Sequence, residues 1–222
     1  MALIINDIEI QRLEGGLIAA WEDIPPSIIS DELNRSGTMC GAIKPVLPGM
    51  SCCGQALTVR CMVGDNSALH YAITKAWPGA ILVADVRGHM DTAVWGGIMT
   101  QAAKHAGVKG LVIDGAVRDI ADLRKSEIGI FVRGAVPNGP HKGFGGEING
   151  PIQCGGVSVD PGDLVIGDDD GIIVVKPTQL PGLMERCRAR IAKEENMLRE
   201  IEDGKTTVEL TGLPPAEEIG KR

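Results

Sequence analysis

From residue 54 onward the chain alternates two hydrophobic patterns. GQALTVRCM (54–62) switches between apolar and polar positions and carries Val and Thr, which predicts a strand. SALHYAITKA (67–76) spaces its apolar positions at helical steps, with Ser67 placed to cap the first turn. After a turn at Pro78-Gly79, AILVADV (80–86) is a short apolar run bounded by turn residues, as in a buried strand. The loop RGHMDTAVW (87–95) leads to a Gly-Gly pair that opens a helix, GGIMTQAAKHAG (96–107). The strand GLVIDG (110–115), the short helix DIADLRKS (119–126) and the strand IGIFVRG (128–134) complete the block. Strand–helix–strand alternation predicts an α/β fold with a parallel sheet and crossover helices. Ligands on such sheets collect at the carboxyl ends of strands, so Asp85 and the stretch from Asp114 to Asp119 are expected to face one crevice.

The flanks are less regular. Residues 7–33 read as two helical pieces broken by Pro25-Pro26, the first weakened by Gly15-Gly16. Residues 38–54 are a Gly- and Pro-rich loop. Residues 136–156 are a long polar loop without periodicity, and loops of that length in a compact domain are usually functional or disordered. Residues 156–177 read as three short strands with turns at Asp160-Pro161-Gly162 and at Asp168 to Gly171. The acidic run GDDDG there is explained by a hairpin turn and not by an EF-hand loop. Residues 178–203 form the longest helix. Its apolar positions Leu183, Met184, Cys187, Ile191, Leu198 and Ile201 recur mainly at three- and four-residue steps, a stripe for packing. The chain is therefore divided into an α/β domain at 1–177 and a C-terminal helix and tail at 178–222, expected to pack on a neighbouring protomer.

Composition narrows the function classes. Only 3% of the 222 residues are aromatic and 44% are hydrophobic, so the core is aliphatic, which suits a sheet covered on both faces. A net charge of −7 and few stacking rings argue against a nucleic-acid binder. No apolar run reaches membrane-spanning length, and the first residues lack the basic and long apolar segments of a signal peptide. The six cysteines form no C-x-x-C pair, and Cys52 and Cys53 are adjacent, which fits a reduced, cytoplasmic protein.

The candidate chemistry lies in WGGIMTQAAKHAGVKGLVIDGAVRD. A helix start offers unpaired N–H groups to a carboxylate or phosphate, and glycine lets the ligand approach the backbone. Arg118 could grip the same anion with its planar fork of donors. Asp119 is a hard oxygen ligand suited to Mg²⁺ or Mn²⁺. Together they suit a small oxo acid. The bland alternative is a Gly-rich turn beside a surface Arg–Asp pair.

This stretch, with FVRGAVPNGPHKG and GGVSVDPGDLVIGDDDGIIVV, resembles the RraA-like family over about residues 25–200. Its enzymatic members are the 4-hydroxy-4-methyl-2-oxoglutarate / 4-carboxy-4-hydroxy-2-oxoadipate aldolases. The resemblance implies an α/β/α sandwich assembled as a homotrimer or homohexamer. It also implies a divalent-metal retro-aldolase that releases pyruvate and a second carbonyl compound, with oxaloacetate decarboxylation as a side activity. Carried over residue by residue, the backbone at Gly96, Gly97, Ile98 and Met99 would bind the pyruvyl carboxylate. Arg118 would clamp the substrate, Asp119 would hold the metal, and Glu194 or Glu195 would support it from an adjacent protomer. There are two departures. Gly97 stands where characterised aldolases can carry an acidic residue, and His141 precedes the loop Lys142 where Thr is frequent. His141 and Lys142 fall among the candidate substrate contacts, with His141 also a candidate general acid, although a histidine in such a place is more often simply a solvated loop residue. A Schiff-base mechanism would need a desolvated lysine, and neither Lys109 nor Lys142 lies in an apolar strand. No side chain is assigned as the base, and a metal-activated water is the economical choice. The rival reading is a non-catalytic regulator that binds a ribonuclease; by resemblance such regulators lack both the acidic residue after the arginine and the long C-terminal helix. A menaquinone methyltransferase would need a Gly-rich loop after the first strand, and here the Gly pair comes too late.

Overall fold

A computed structural model of the chain describes residues 2–217. The last five residues of the predicted tail lie outside the described residues. In chain order the N-terminal part contains β1 (Leu3–Ile5), α1 (Gly15–Glu22), α2 (Pro26–Glu32) and β2 (Lys44–Pro45). The alternating block contains β3 (Cys52–Cys61), α3 (Ser67–Lys75), β4 (Ile81–Asp85), α4 (Gly97–His105), β5 (Gly110–Val117), α5 (Ile120–Leu123) and β6 (Gly129–Ala135). Then follow β7 (Gly146–Ile148), β8 (Ile152–Cys154), β9 (Val157–Val159), β10 (Leu164–Asp168), β11 (Gly171–Val175), α6 (Leu183–Glu202) and α7 (Thr207–Thr211).

β3, β4, β5 and β6 lie side by side and parallel, as the alternation predicted. The sheet is extended by antiparallel partners: β7 and β10 on β3, and β2 on β6. The side-chain period of two sorts each strand into two faces. Leu57, Val59, Leu82, Ala84, Leu111, Ile113, Ile130 and Val132 point one way, onto Leu69 and Ala72 of α3, Met99 and Ala103 of α4, and Leu123 of α5. Ala56, Ile81, Val83, Val112 and Phe131 point the other way, onto the β8–β9 hairpin and onto Val165, Ile172 and Val174. The opposite residues of β10 and β11, Leu164, Ile166, Ile173 and Val175, pack under Trp21 of α1, Ile28 and Ile29 of α2, and Leu183 and Cys187 of α6. All three crossover helices therefore share one face, while α6 lies beyond the other. Among the described residues no helix is long and apolar enough to cross a membrane.

Several local expectations change. Residues 7–14 are not helical. They form an extended strap fixed by Gln55, whose amide donates to Gln11 O at 2.9 Å and accepts from Leu13 N–H at 2.9 Å. Gly15-Gly16 opens α1 and does not interrupt it. The stretch 136–156 contains β7 and β8; the short apolar segments gave too few positions to show a period. β7 pairs with β3 and β1, so the N-terminus becomes a sheet edge that the sequence did not announce. The last helix begins at Leu183 because Pro177–Gln179 forms a 3₁₀ turn and Gly182 takes a left-handed conformation at φ 70°. The GDDDG run is a hairpin turn, as expected, closing β10 on β11 at Asp168 and Gly171.

Candidate active site

The segment before α4 brings the two halves of the site together. Ala93 bridges Ala116 in parallel, Val94 N–H donates to Ala116 O at 3.0 Å, and Arg118 N–H donates to Trp95 O at 2.9 Å. These bonds fasten the start of α4 to the end of β5. Inside the helix start, the Trp95 indole N–H donates to Thr100 Oγ1 at 2.8 Å, and that hydroxyl donates to Gly96 O at 3.1 Å. Both side chains are buried, so the first turn of α4 is rigid.

β5 runs to Val117, longer than its apolar core suggested, and Arg118-Asp119 follow directly. Asp119 has left-handed backbone angles, φ 60° and ψ 38°. That turns its carboxylate back onto α4, where Oδ2 accepts the Gly97 N–H at 3.0 Å. Arg118 Nε lies 3.8 Å from the same oxygen. A Cβ at position 96 would fall 2.4 Å from Asp119 Oδ2, so only glycine there leaves that carboxylate where it stands. Gly139 has the same relation to Arg118, with a Cβ falling 2.7 Å from Nη1. With Gly97 N–H capped, the Ile98 and Met99 N–H groups remain as free donors at the positive end of the helix.

These groups line a cavity of about 180 Å³. Its wall includes Gly96, Ile98, Met99, Arg118, Asp119 and Lys142 of the predicted residues. Gly97 contributes through its bond to Asp119. His141 is exposed outside the wall, with its ring against Phe144 at 5.8 Å between centroids. Glu194 and Glu195 lie on α6, paired with Arg190 at 3.2 Å and Arg199 at 4.0 Å, and they do not line the cavity of their own chain. Asp85 and Asp114 are also outside it. The strand period that aims Ala84 and Ile113 at the crossover helices turns these carboxylates to the opposite face. There Asp85 accepts the Arg87 N–H at 2.9 Å, and Asp114 holds Arg133 and the Gly155 N–H. Burial pushes the Asp85 carboxyl up.

Sequence reasoning missed Asn66 and His70, which line the cavity from α3. The signal was present: N-x-x-x-H at a helix start puts both side chains on one face. Asn66 is buried and donates to Val94 O at 3.0 Å and to Met99 Sδ at 3.3 Å, while its Oδ1 has no partner. Burial and the Lys142 ammonium hold the His70 imidazole below its usual range, against the opposite pull of Asp65.

A larger hollow of about 430 Å³ lies at the amino ends of the strands. Its wall holds Glu22, Asp23, Glu127 and Asp168 with Lys109, and Lys109 is already paired with Glu22 at 3.2 Å. It offers no cradle for an anion, so the smaller cavity is the candidate site.

No three His, Cys, Asp or Glu side chains converge among the described residues to cage a metal. The carboxylates of Asp119 and Asp122 both lie near Gly97, whose Cβ position would be 3.8 and 3.6 Å from their Oδ2 atoms, and Asp122 also faces Lys125 at 3.8 Å. Such a set fits an ion that keeps most of its own water, as Mg²⁺ does, and not a dedicated zinc or calcium cage.

A mainly parallel sheet with its crossover helices on one face, and a helix start facing an Arg-Asp pair at the carboxyl end, defines an α/β protein with its candidate site at that end of the sheet. The chain belongs to the RraA-like family (Aldolase/RraA), which it matches over residues 27–174. It is 35% identical over 192 residues to a protein of Halalkalibacterium halodurans provisionally named a 4-hydroxy-4-methyl-2-oxoglutarate aldolase, covering 86% of this chain and 91% of that one. An uncharacterized protein from Pseudomonas syringae superposes with a TM-score of 0.79 at 27% identity, over 93% of this chain and 98% of that one. The RNA-processing inhibitor RraA from Thermus thermophilus superposes with a TM-score of 0.64 at 28% identity, over 69% and 93%.

Proposed function

We propose that the protein is a divalent-metal-dependent retro-aldolase. It cleaves a 4-hydroxy-2-oxo acid to pyruvate and a second carbonyl compound, with oxaloacetate decarboxylation as a side activity. The observation that carries this reading is the convergence of the Ile98 and Met99 N–H groups, Arg118 and Asp119 on one small cavity. The H. halodurans relative supports the same class.

The residues divide the work by their chemistry. The helix start binds the substrate carboxylate, with Lys142 adding a positive charge from the loop. Arg118 donates to the 2-oxo oxygen and stabilises the negative charge that develops there when the C3–C4 bond breaks. Asp119 and Asp122 would hold Mg²⁺, with Asp119 as the direct ligand. When bound, the ion supplies Lewis-acid polarisation of the 2-oxo group. The protein works in the cytoplasm as a homotrimer or homohexamer, and Glu194 or Glu195 of a neighbouring protomer would support the metal.

The test is pyruvate release from oxaloacetate, 4-hydroxy-4-methyl-2-oxoglutarate and 4-carboxy-4-hydroxy-2-oxoadipate, with and without Mg²⁺. Metal-stimulated release from a hydroxy-oxo acid is the expected result. No release from any of the three rejects the lyase reading. The similarity to the T. thermophilus inhibitor carries the alternative, a module that binds a ribonuclease. A stable complex with a purified ribonuclease, in a protein without lyase activity, would establish it.

A further inference from the structure

Retro-aldol cleavage needs an acceptor for the proton of the C4 hydroxyl, and Arg118, Lys142 and the helix N–H groups are all donors. The chain has four histidines. His89 is held by Thr92 at 3.3 Å, His105 lies in the last turn of α4, and His141 sits against Phe144 outside the cavity. His70 is the one that lines the cavity with Arg118 and Asp119.

Its placement is fixed by the turn that carries it. His70 N–H donates to Asn66 O at 3.2 Å, so the two side chains stand one turn apart on the same face of α3. The Asn66 amide, bonded to Val94 O and Met99 Sδ, ties that turn to the segment that builds the anion cradle. Substrate anchored at the cradle therefore meets an exposed imidazole carried on a turn that buried contacts hold in place.

We propose that His70 is the general base of the cleavage, an assignment that rests on the lyase reading. A ring nitrogen of His70 takes the C4 hydroxyl proton, the C4–O bond becomes a carbonyl, and the C3–C4 bond breaks. Its electron pair passes to the pyruvate enolate, whose oxygen Arg118 faces. The imidazolium can return the proton to C3, so the proton count closes without another donor. The charged groups around His70 are Lys142 on the loop, Asp65 before α3, and Arg118 and Asp119 across the cavity. Burial and Lys142 keep it neutral, and so competent as a base, to lower pH than an ordinary histidine.

Oxaloacetate separates this role from a structural one. It loses CO₂ with the same enolate formed but has no C4 hydroxyl proton to remove. Full-length His70→Gln and His70→Asn proteins are assayed with Mg²⁺ for pyruvate from 4-hydroxy-4-methyl-2-oxoglutarate and from oxaloacetate. The expected result is a fall in aldol kcat about 100-fold greater than the fall in decarboxylation. The wild-type aldol kcat/KM should decline as pH falls through the His70 titration, and the variants should lack that limb. Equal loss of both activities, or aldol cleavage retained, overturns the assignment. Wild-type protein inactive on both substrates and on 4-carboxy-4-hydroxy-2-oxoadipate overturns the lyase reading itself, and the assignment falls with it.

Discussion

The backbone N–H of Gly97 donates to Oδ2 of Asp119 at 3.0 Å, although the two are 22 positions apart in the chain. A carboxylate from the end of β5 thus caps the helix that begins after β4. Asp119→Asn keeps an acceptor for that N–H and removes the charge. It should leave the melting temperature within a few degrees of wild type and abolish Mg²⁺-stimulated pyruvate release. Asp119→Ala should also lose about 1 kcal/mol of stability with the cap. Retained Mg²⁺-dependent turnover in the asparagine variant would show that Asp119 does not hold the metal.

Gly96→Ala places a methyl group 2.4 Å from the same oxygen. The Asp119 side chain must swing away, so kcat/KM should fall by about 3 kcal/mol equivalent or more. Circular dichroism should remain that of the wild type. Unchanged kcat/KM would mean that the observed Asp119 rotamer is not the working one.

Arg118→Lys retains a positive charge and loses the fork. The expected loss is about 2–4 kcal/mol of transition-state stabilisation, read as kcat/KM. Wild-type efficiency in this variant would reduce Arg118 to a surface partner of Asp119.

A site shared between protomers predicts complementation. Asp119→Asn and the double variant Glu194→Gln/Glu195→Gln should each be inactive alone. After dissociation, mixing and reassembly they should recover part of the activity, because some interfaces then join an intact Asp119 to an intact glutamate. No recovery in verified mixed oligomers, or full activity of the double variant alone, excludes sharing.

Lys176 governs stability rather than chemistry. Its Nζ meets Asp163 at 2.6 Å, Asp160 at 2.9 Å and Ser158 O at 3.0 Å, and Asp163 is buried. Burial pushes Lys176 down, but the two carboxylates outweigh it and raise it above the ordinary lysine value of 10.5. The stabilisation is therefore complete below about pH 10.5 and lost as pH rises through the higher folded value. Burial raises the Asp163 carboxyl despite Lys176, so Asp163 acts in the acid range, with stability falling as pH rises from 3.8 to its folded value. Lys176→Met should cost about 2–3 kcal/mol in urea unfolding at pH 7 and should flatten the alkaline limb. An unchanged alkaline limb would assign that pH dependence elsewhere.

The parts of this molecule with a regular period were legible in its sequence. The runs from 54 to 134 gave the four parallel strands and their crossover helices, and the Gly96-Gly97 and Arg118-Asp119 pairs meet at one cavity. The short flanking elements were not legible. Three residues such as Gly146–Ile148 hold too little pattern to show a strand, and their pairing with Leu3–Ile5 spans some 140 residues. Asp85 and Asp114 looked like site residues because they end strands; the parity of their positions sends them to the other face. Asn66 and His70 were hidden in a helix whose other positions already explained its packing.

The left-handed backbone at Asp119 sets chemistry against folding at one residue. That conformation suits glycine and is tolerated by asparagine or aspartate at a cost of about 1 kcal/mol. Asp119→Gly would relieve that strain but lose the cap on Gly97, whereas Asp119→Asn keeps the cap and a tolerated conformation and removes only the charge. A library of this chain selected only for heat resistance should therefore hold asparagine at 119 as readily as aspartate, and the asparagine survivors would keep the fold without turning over substrate.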